Sequence, residues 1–186
     1  MPNLYVALTH YPVVNKSGDI ITSAVTNLDL HDISRAARTY GVKSFYVVTP
    51  LKDQQVLAQR IMAHWIEGAG GAYNPARRRA LETVKVSGSI ADVVEDVGRI
   101  ENEYPKTAVT CARRYPSSIG YKKFRTILDT GRPYLLVFGT AWGLAEGFIF
   151  EADYILEPIA GISDYNHLSV RSAAAIILDR LVGSHI

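Results

Sequence analysis

Short apolar runs alternate with amphipathic stretches along the whole chain. Leu4-Tyr5-Val6-Ala7-Leu8, Ser44 to Val48, Val84 to Val86, Ala108 to Ala112, Tyr134 to Phe138 and Tyr154 to Leu156 read as strands. Between them, Asp29 to Tyr40, Leu51 to about Gly68, Ser89 to about Glu103, Lys122 to Thr130 and Leu168 to Leu181 read as helices. In the first of these, Ile33, Ala36, Ala37 and Tyr40 fall at the spacing of one buried face. Gly41 follows that helix in the position where a left-handed residue ends it. The order is βαβαβαβαββα. Such alternation predicts an α/β fold with a mostly parallel sheet and helices on both faces, and strands without polar alternation agree with burial on both sides. No linker or internal repeat divides the 186 residues, so residues 1–186 are expected to form a single domain. Ligands in open parallel sheets bind at the carboxyl ends of the strands. The loops after residues 9, 49, 87, 112, 138 and 157 are therefore where chemistry is expected.

Composition narrows the class. Hydrophobic residues make up 48% and charged residues 20%, ordinary values for a globular protein. One cysteine, Cys111, forms no intramolecular disulfide, suits a reducing compartment and is expected to fill space in the core. No run of about 18 apolar residues and no basic-then-apolar leader is present, so no membrane partner and a cytoplasmic location are expected. The net charge is only +2, but it is uneven. Arg113, Arg114, Lys122, Lys123, Arg125 and Arg132 crowd one stretch against Asp129 alone, while Asp92 to Glu103 is acidic. A local basic patch suits nucleic acid, and the same runs also suit two solvated helix faces.

Several enzyme classes lose their sequence support. Gly68-Ala69-Gly70-Gly71 follows a helix rather than a strand, and Tyr73 takes the third glycine position of a dinucleotide fingerprint. Leu144 stands where a phosphate loop opening at Gly139 needs its second glycine. There is no HExxH or GxSxG, and the five histidines are too scattered for a metal site.

Three features remain. A buried strand runs into a loop with two glycines, Phe138-Gly139-Thr140-Ala141-Trp142-Gly143-Leu144, whose backbone is free to meet a flat adenosine or simply to turn a tight corner. Trp142 suits either stacking on a base or packing over that corner. A second loop runs from Glu157 through Asn166 to Ser169, both of the latter suited to capping the helix that follows. That last helix, Ala173 to Leu181, is apolar on almost every face and needs more than one partner, for which a homodimer contact is the simplest second source. Third, His31, Arg35 and Arg38 share one face of the first helix, which suits phosphate or plain solvent exposure.

Taken in order, these segments resemble the three motifs of the SPOUT (SpoU–TrmD) RNA methyltransferases. Arg35 to Gly41 is similar to the first motif, with an arginine six residues before a glycine that follows an aromatic. Val137 to Leu144 is similar to the second, and Glu157 to Ala174 to the third. The resemblance is closest to a small stand-alone bacterial group, itself similar to a domain fused to tRNA guanine-N1 methyltransferases. It implies a C-terminal trefoil knot over about residues 108–186, a homodimer through the knot and the last helix, S-adenosylmethionine (SAM) as cofactor, and tRNA or rRNA as partner. The cofactor residues it implies are Thr110, Cys111, Ala112, Phe138, Gly139, Thr140, Gly143, Leu144, Glu157, Pro158, Ile159, Gly161, Asn166, Leu168, Ser169 and Val170. Arg35 is the candidate for gripping a phosphate beside the reacting nucleotide or for favouring its deprotonated form, and Asp164 or Glu157 for accepting a proton or, equally suited, for capping a loop. Arg38, Arg113, Arg114, Lys122 and Lys123 would form the RNA-facing rim.

Two departures stand out. Ala141-Trp142 occupy the place where the SpoU branch carries a glutamate, and Arg171 sits among residues that are usually small. The missing glutamate keeps a second reading open, a non-catalytic RNA-binding protein that retains the knotted fold. An unrelated α/β enzyme holding another adenosine-containing ligand in the same loops is the third.

Overall fold

The computed structural model describes residues 2–163 and 165–184. In chain order the elements are β1 (Leu4–Thr9), β2 (Val13–Val14), β3 (Ile20–Ile21), α1 (Asn27–Thr39), β4 (Phe45–Val48), α2 (Lys52–Ile66), α3 (Ala69–Tyr73), α4 (Pro75–Leu81), β5 (Val84–Ser87), α5 (Ile90–Glu101), β6 (Lys106–Val109), β7 (Ser118–Ile119), α6 (Tyr121–Leu128), β8 (Tyr134–Gly139), α7 (Glu146–Glu151), β9 (Tyr154–Leu156) and α8 (Val170–Val182).

Seven strands form one sheet in the order β5-β4-β1-β8-β6-β9-β7, and every neighbouring pair is parallel. The α/β expectation of a mostly parallel sheet with helices on both faces holds. The central strands β1, β4 and β8 are apolar except at the carboxyl end of β1, where Thr9 stands, because both of their faces are covered. Leu4, Val6, Leu8 and Leu136 point into one core with α1, α6 and α8. Tyr5, Ala7, Leu135 and Val137 point into the other with α5 and α7.

Helix ends follow local chemistry. Thr26 accepts the Asp29 N–H at 3.2 Å to open α1, and Gly41 takes φ +70° just beyond its last turn. Ser89 caps α5 in the same way.

The structure corrects several boundaries. The third-quarter strand runs from Lys106 to Val109, so Thr110 to Ala112 leave the sheet and form a loop. The last helix begins at Val170, capped by Ser169 alone. The antiparallel pair β2–β3, the edge strand β7 and the short helices α3, α4 and α7 were not anticipated.

Two topological features position the site. Strand order reverses around β1 and β8, which opens a crevice at their carboxyl ends. In addition, β9 lies between β6 and β7, although those two are consecutive in the chain. The segment 110–117 that joins them therefore crosses the carboxyl end of β9. The last helix α8 then returns to pack against α1 and α6. Ala173, Ala175 and Ile176 remain half-buried on that helix.

Candidate functional site

The carboxyl edge of the sheet carries a row of polar groups. Thr110 donates both its N–H and its hydroxyl to the Val137 carbonyl, at 3.1 and 3.2 Å, which fixes the loop after β6 against β8. Thr140 donates its hydroxyl to the Thr9 carbonyl at 3.2 Å. Ser23 links that hydroxyl to His10, whose Nδ1 lies 2.9 Å from Ser23 Oγ. His10 is fully buried, and its Nε2 has no partner among the described residues. Burial lowers its pKa to about 4, against the Asp29 carboxylate and the Ala24 carbonyl, which pull the other way. His10 is thus a neutral imidazole that holds a hydroxyl in place.

The glycine corner is shaped by its neighbours. A Cβ at Gly139 would lie 2.8 Å from Leu144 Cγ, so only glycine lets the buried Leu144 close over the end of β8. Ala141 and Gly143 take φ of +52° and +113°. The loop is buttressed from outside, since Trp142 N–H donates to the Val14 carbonyl at 3.0 Å and Val14 N–H to the Gly143 carbonyl at 2.9 Å. This bracing is the work of the unanticipated β2–β3 arm. The Trp142 ring does not pack over the corner; it is 63% exposed.

The third part is the segment after β9. Glu157 is held beneath the crossing segment 110–117 and its continuation into β7 and α6. Its N–H donates to the Ile119 carbonyl at 3.0 Å, its carbonyl accepts from the Tyr121 hydroxyl at 2.7 Å, and its carboxylate pairs with Arg114 at 2.9 Å. Further along, Asn166 Nδ2 donates to the Ala112 carbonyl at 3.1 Å. Asn166 is therefore not a helix cap but a tie between two loops. Ile162, Tyr165 and Leu168 on this segment are exposed apolar side chains.

The sequence-predicted cofactor residues thus converge. Thr110, Cys111 and Ala112 adjoin Gly139, Thr140 and Gly143 through the β6–β8 pairing, and the segment carrying Pro158, Ile159, Gly161, Asn166, Leu168, Ser169 and Val170 is pinned beside them. Phe138 and Leu144 are core side chains, so only their backbone faces this edge. Cys111 is half-buried rather than a core residue, and its sulfur accepts the Arg113 N–H at 3.3 Å. Asp164 lies outside the described residues.

The predicted RNA-facing residues come from three parts of the chain. Lys122 and Lys123 are exposed on α6, and Arg113 lies 5.8 Å from the Tyr115 ring centre. The charge of Arg114 is matched by Glu157. Arg35 and Arg38 are on α1, where they line a cleft with residues of α4. The unusual Arg171 has a structural partner: it pairs with the buried carboxylate of Asp29 at 2.8 Å and ties α8 to α1.

A profile of a family described as SAM-dependent RNA methyltransferases matches residues 3–183. The chain belongs to this family. It is 41% identical over 180 residues to an uncharacterized protein of Aquifex aeolicus, covering 96% of this chain and 88% of that one. It is 42% identical over 181 residues to a tRNA (guanine-N(1)-)-methyltransferase of Oleidesulfovibrio alaskensis, covering 97% of this chain but 42% of the relative. The chain therefore spans less than half of that enzyme. Among solved structures, a probable methyltransferase from Bordetella pertussis aligns with TM-score 0.63 at 16% identity, covering 97% of this chain and 92% of that one. TrmJ from Z. mobilis aligns with TM-score 0.61 at 12% identity, covering all of this chain and 70% of the other. The SpoU methyltransferase AviRb from Streptomyces viridochromogenes, solved with AdoMet, aligns with TM-score 0.54 at 19% identity over 98% of this chain and 58% of the other. At such identities these structures share the fold.

Membership makes SAM the cofactor to be accommodated, and the carboxyl edge fits it. At Gly143 and Gly161 a side chain would meet nothing within 4 Å, so the backbone there is open to a ligand. Exposed apolar groups of Ile162 and Leu168 stand on the same segment as Gly161.

Proposed function

We propose that this chain methylates a nucleotide of tRNA or rRNA, with SAM held at the carboxyl edge by the loops 110–112, 138–144, 157–161 and 166–170. The observation that carries this reading is the Asn166–Ala112 hydrogen bond, which closes the last loop onto the loop after β6 beside the glycine corner. SAM supplies an electrophilic methyl group on its sulfonium. The residues bind and orient: backbone groups at Gly139, Thr140 and Gly143 meet the ligand, while the His10–Ser23–Thr140 chain keeps that corner rigid. Placing the reacting atoms about 3 to 3.5 Å apart is the main task of such a site.

Arg35 grips a phosphate of the RNA near the reacting nucleotide. Of the two acids read from the sequence, Glu157 is committed to Arg114, so Asp164 is assigned the proton. The position of β9 between β6 and β7 supports a threaded, trefoil-knotted C-terminal region. Knots are very rare among folds, so this threading is a family trait rather than a consequence of pattern. A homodimer through this region is supported by the half-buried Ile176 and the exposed Ile162, Tyr165 and Leu168. An RNA substrate supports a cytoplasmic location; no helix among the described residues is long and apolar enough to cross a membrane.

The test is transfer of labelled methyl from SAM to total RNA. Saturable incorporation supports an enzyme. SAM binding without incorporation into any RNA supports the non-catalytic RNA-binding protein instead.

A further inference from the structure

A second concave region lies between α1 and α4, and it begins with the glycine cluster of residues 68–71. A Cβ at Gly68 would lie 2.6 Å from the His64 carbonyl oxygen, and one at Gly71 2.5 Å from that of Trp65. At Gly70 it would lie 2.8 Å from the Trp65 ring. The cluster therefore makes a tight corner that packs α3 against Trp65 and turns the chain into α4. Asn74 then caps α4 by accepting the Arg77 N–H at 3.0 Å, with Pro75 in the first turn. The Arg77 guanidinium stacks 4.5 Å from the Trp65 ring centre. Trp65 itself is held edge-on by His31 at 5.4 Å.

The result is a cleft of about 370 Å³ lined by Arg35, Arg38, Arg77 and Arg79, with Thr39 and Asn74 at its wall. Among the described residues, no carboxylate lies within 4.0 Å of Arg38, Arg77 or Arg79, and Arg35 reaches only the exposed Asp32, at 4.0 Å. Arg77 Nε is buried without a partner among the described residues. The contrast with nearby arginines is sharp: Arg78 pairs with Glu82 at 2.9 Å and Arg171 with Asp29 at 2.8 Å. The positive potential is felt locally, since burial, Arg77 and Arg35 together lower the pKa of His31 against the pull of Asp32. Four guanidiniums gathered around the single exposed acid Asp32 repel one another, and a bound polyanion relieves that repulsion. The cleft holds no large apolar side chain, which speaks against a lipid surface.

We propose that this cleft binds the phosphodiester backbone of the RNA substrate, with Arg77 and Arg79 of α4 gripping the strand opposite Arg35 and Arg38. The site is distinct from the SAM loops and rests on the RNA methyltransferase reading above. Planar guanidiniums make paired hydrogen bonds to phosphate, and a row of them on two helices suits a chain of phosphates better than a single one.

The experiment measures binding of bulk tRNA to the full chain, saturated with S-adenosylhomocysteine (SAH), over a series of salt concentrations. The variants are Arg79→Gln and Arg77→Gln/Arg79→Gln, with Arg78→Gln as a control of equal charge outside the cleft. The double variant is expected to bind at least about tenfold more weakly, with a salt slope reduced by about 0.7 per arginine. SAH affinity stays within twofold, and Arg78→Gln changes little. Arg79 is exposed, so its single variant tests the cleft even if the double variant folds poorly. Unchanged affinity and slope in a folded Arg79→Gln protein would overturn the cleft while leaving the enzyme intact. A wild-type chain that binds SAH but no tRNA or rRNA would overturn the RNA reading and the cleft with it.

Discussion

Asn166 Nδ2 donates a hydrogen bond to the Ala112 carbonyl across 3.1 Å, joining two loops that lie 54 residues apart in the chain. The bond is exposed, so its contribution to stability is small. Its role is to hold the last loop where a cofactor needs it. Asn166→Ala is expected to weaken SAH binding about fivefold, corresponding to about 1 kcal/mol, with no change in melting temperature. Calorimetric titration of both proteins checks this, and equal affinities would remove Asn166 from the site.

The three glycines of the site separate packing from ligand effects. Gly139→Ala forces a Cβ to 2.8 Å from Leu144 and is expected to cost about 1–3 kcal/mol of stability. Gly143→Ala costs a similar amount through its φ of +113°. A Cβ at Gly161 meets nothing within 4 Å, and this variant should unfold within about 0.5 kcal/mol of wild type. Urea denaturation distinguishes Gly161→Ala from the other two.

Arg35→Ala is expected to leave SAH affinity intact and to lower methyl transfer to RNA by tenfold or more. Arg35 lies in the arginine cleft, and its neighbour Asp32 also pairs with Arg171 just beyond the last loop. Loss of cofactor binding as well would make Arg35 a structural residue. The pair of measurements is SAH calorimetry and labelled methyl incorporation.

Arg171→Ala strands the Asp29 carboxylate, whose side chain is 8% exposed. Breaking a fully buried pair costs about 3–5 kcal/mol. Because the Arg171 side chain is 31% exposed, roughly 2 kcal/mol is expected here. Denaturant midpoints of the two proteins check it, with Arg171→Lys recovering part of the loss.

His10 sets a pH dependence. Burial lowers its pKa from 6.5 to about 4, so above pH 6.5 it is neutral in both the folded and the unfolded chain. As pH falls from about 6.5 toward about 4, the unfolded chain takes up a proton that the folded chain refuses. Stability is therefore lost over that window, by up to about 3 kcal/mol. His31 is shifted in the same direction, so the difference between wild type and His10→Gln isolates His10. The variant is expected to show a shallower decline between pH 6.5 and 4 in denaturation series.

How much the sequence reveals follows from the range of each interaction. Strands such as Leu4–Thr9 and Tyr134–Gly139 are legible because burial on both faces demands unbroken apolar runs. The arm β2–β3 is not, because two residues such as Val13–Val14 hold no period. In α4 only Ala80 and Leu81 are buried, so Pro75 to Leu81 shows a basic run instead of a helical stripe; Asn74-Pro75 was its one local signal. The cofactor loops were legible through glycines and strand ends, which are local features. The arginine cleft was not, since Arg38 and Arg77 meet only when α4 packs on α1. The His10–Ser23–Thr140 chain spans 130 positions for the same reason and leaves no mark in any short window.

The most direct test of the account is amide hydrogen exchange of the full chain with and without SAH. Slowed exchange is expected in residues 110–112, 138–144 and 157–170, with the cleft between α1 and α4 unchanged. Slowing confined to α1 and α4, or none anywhere at saturating SAH, would contradict the claim that the carboxyl-edge loops hold the methyl donor.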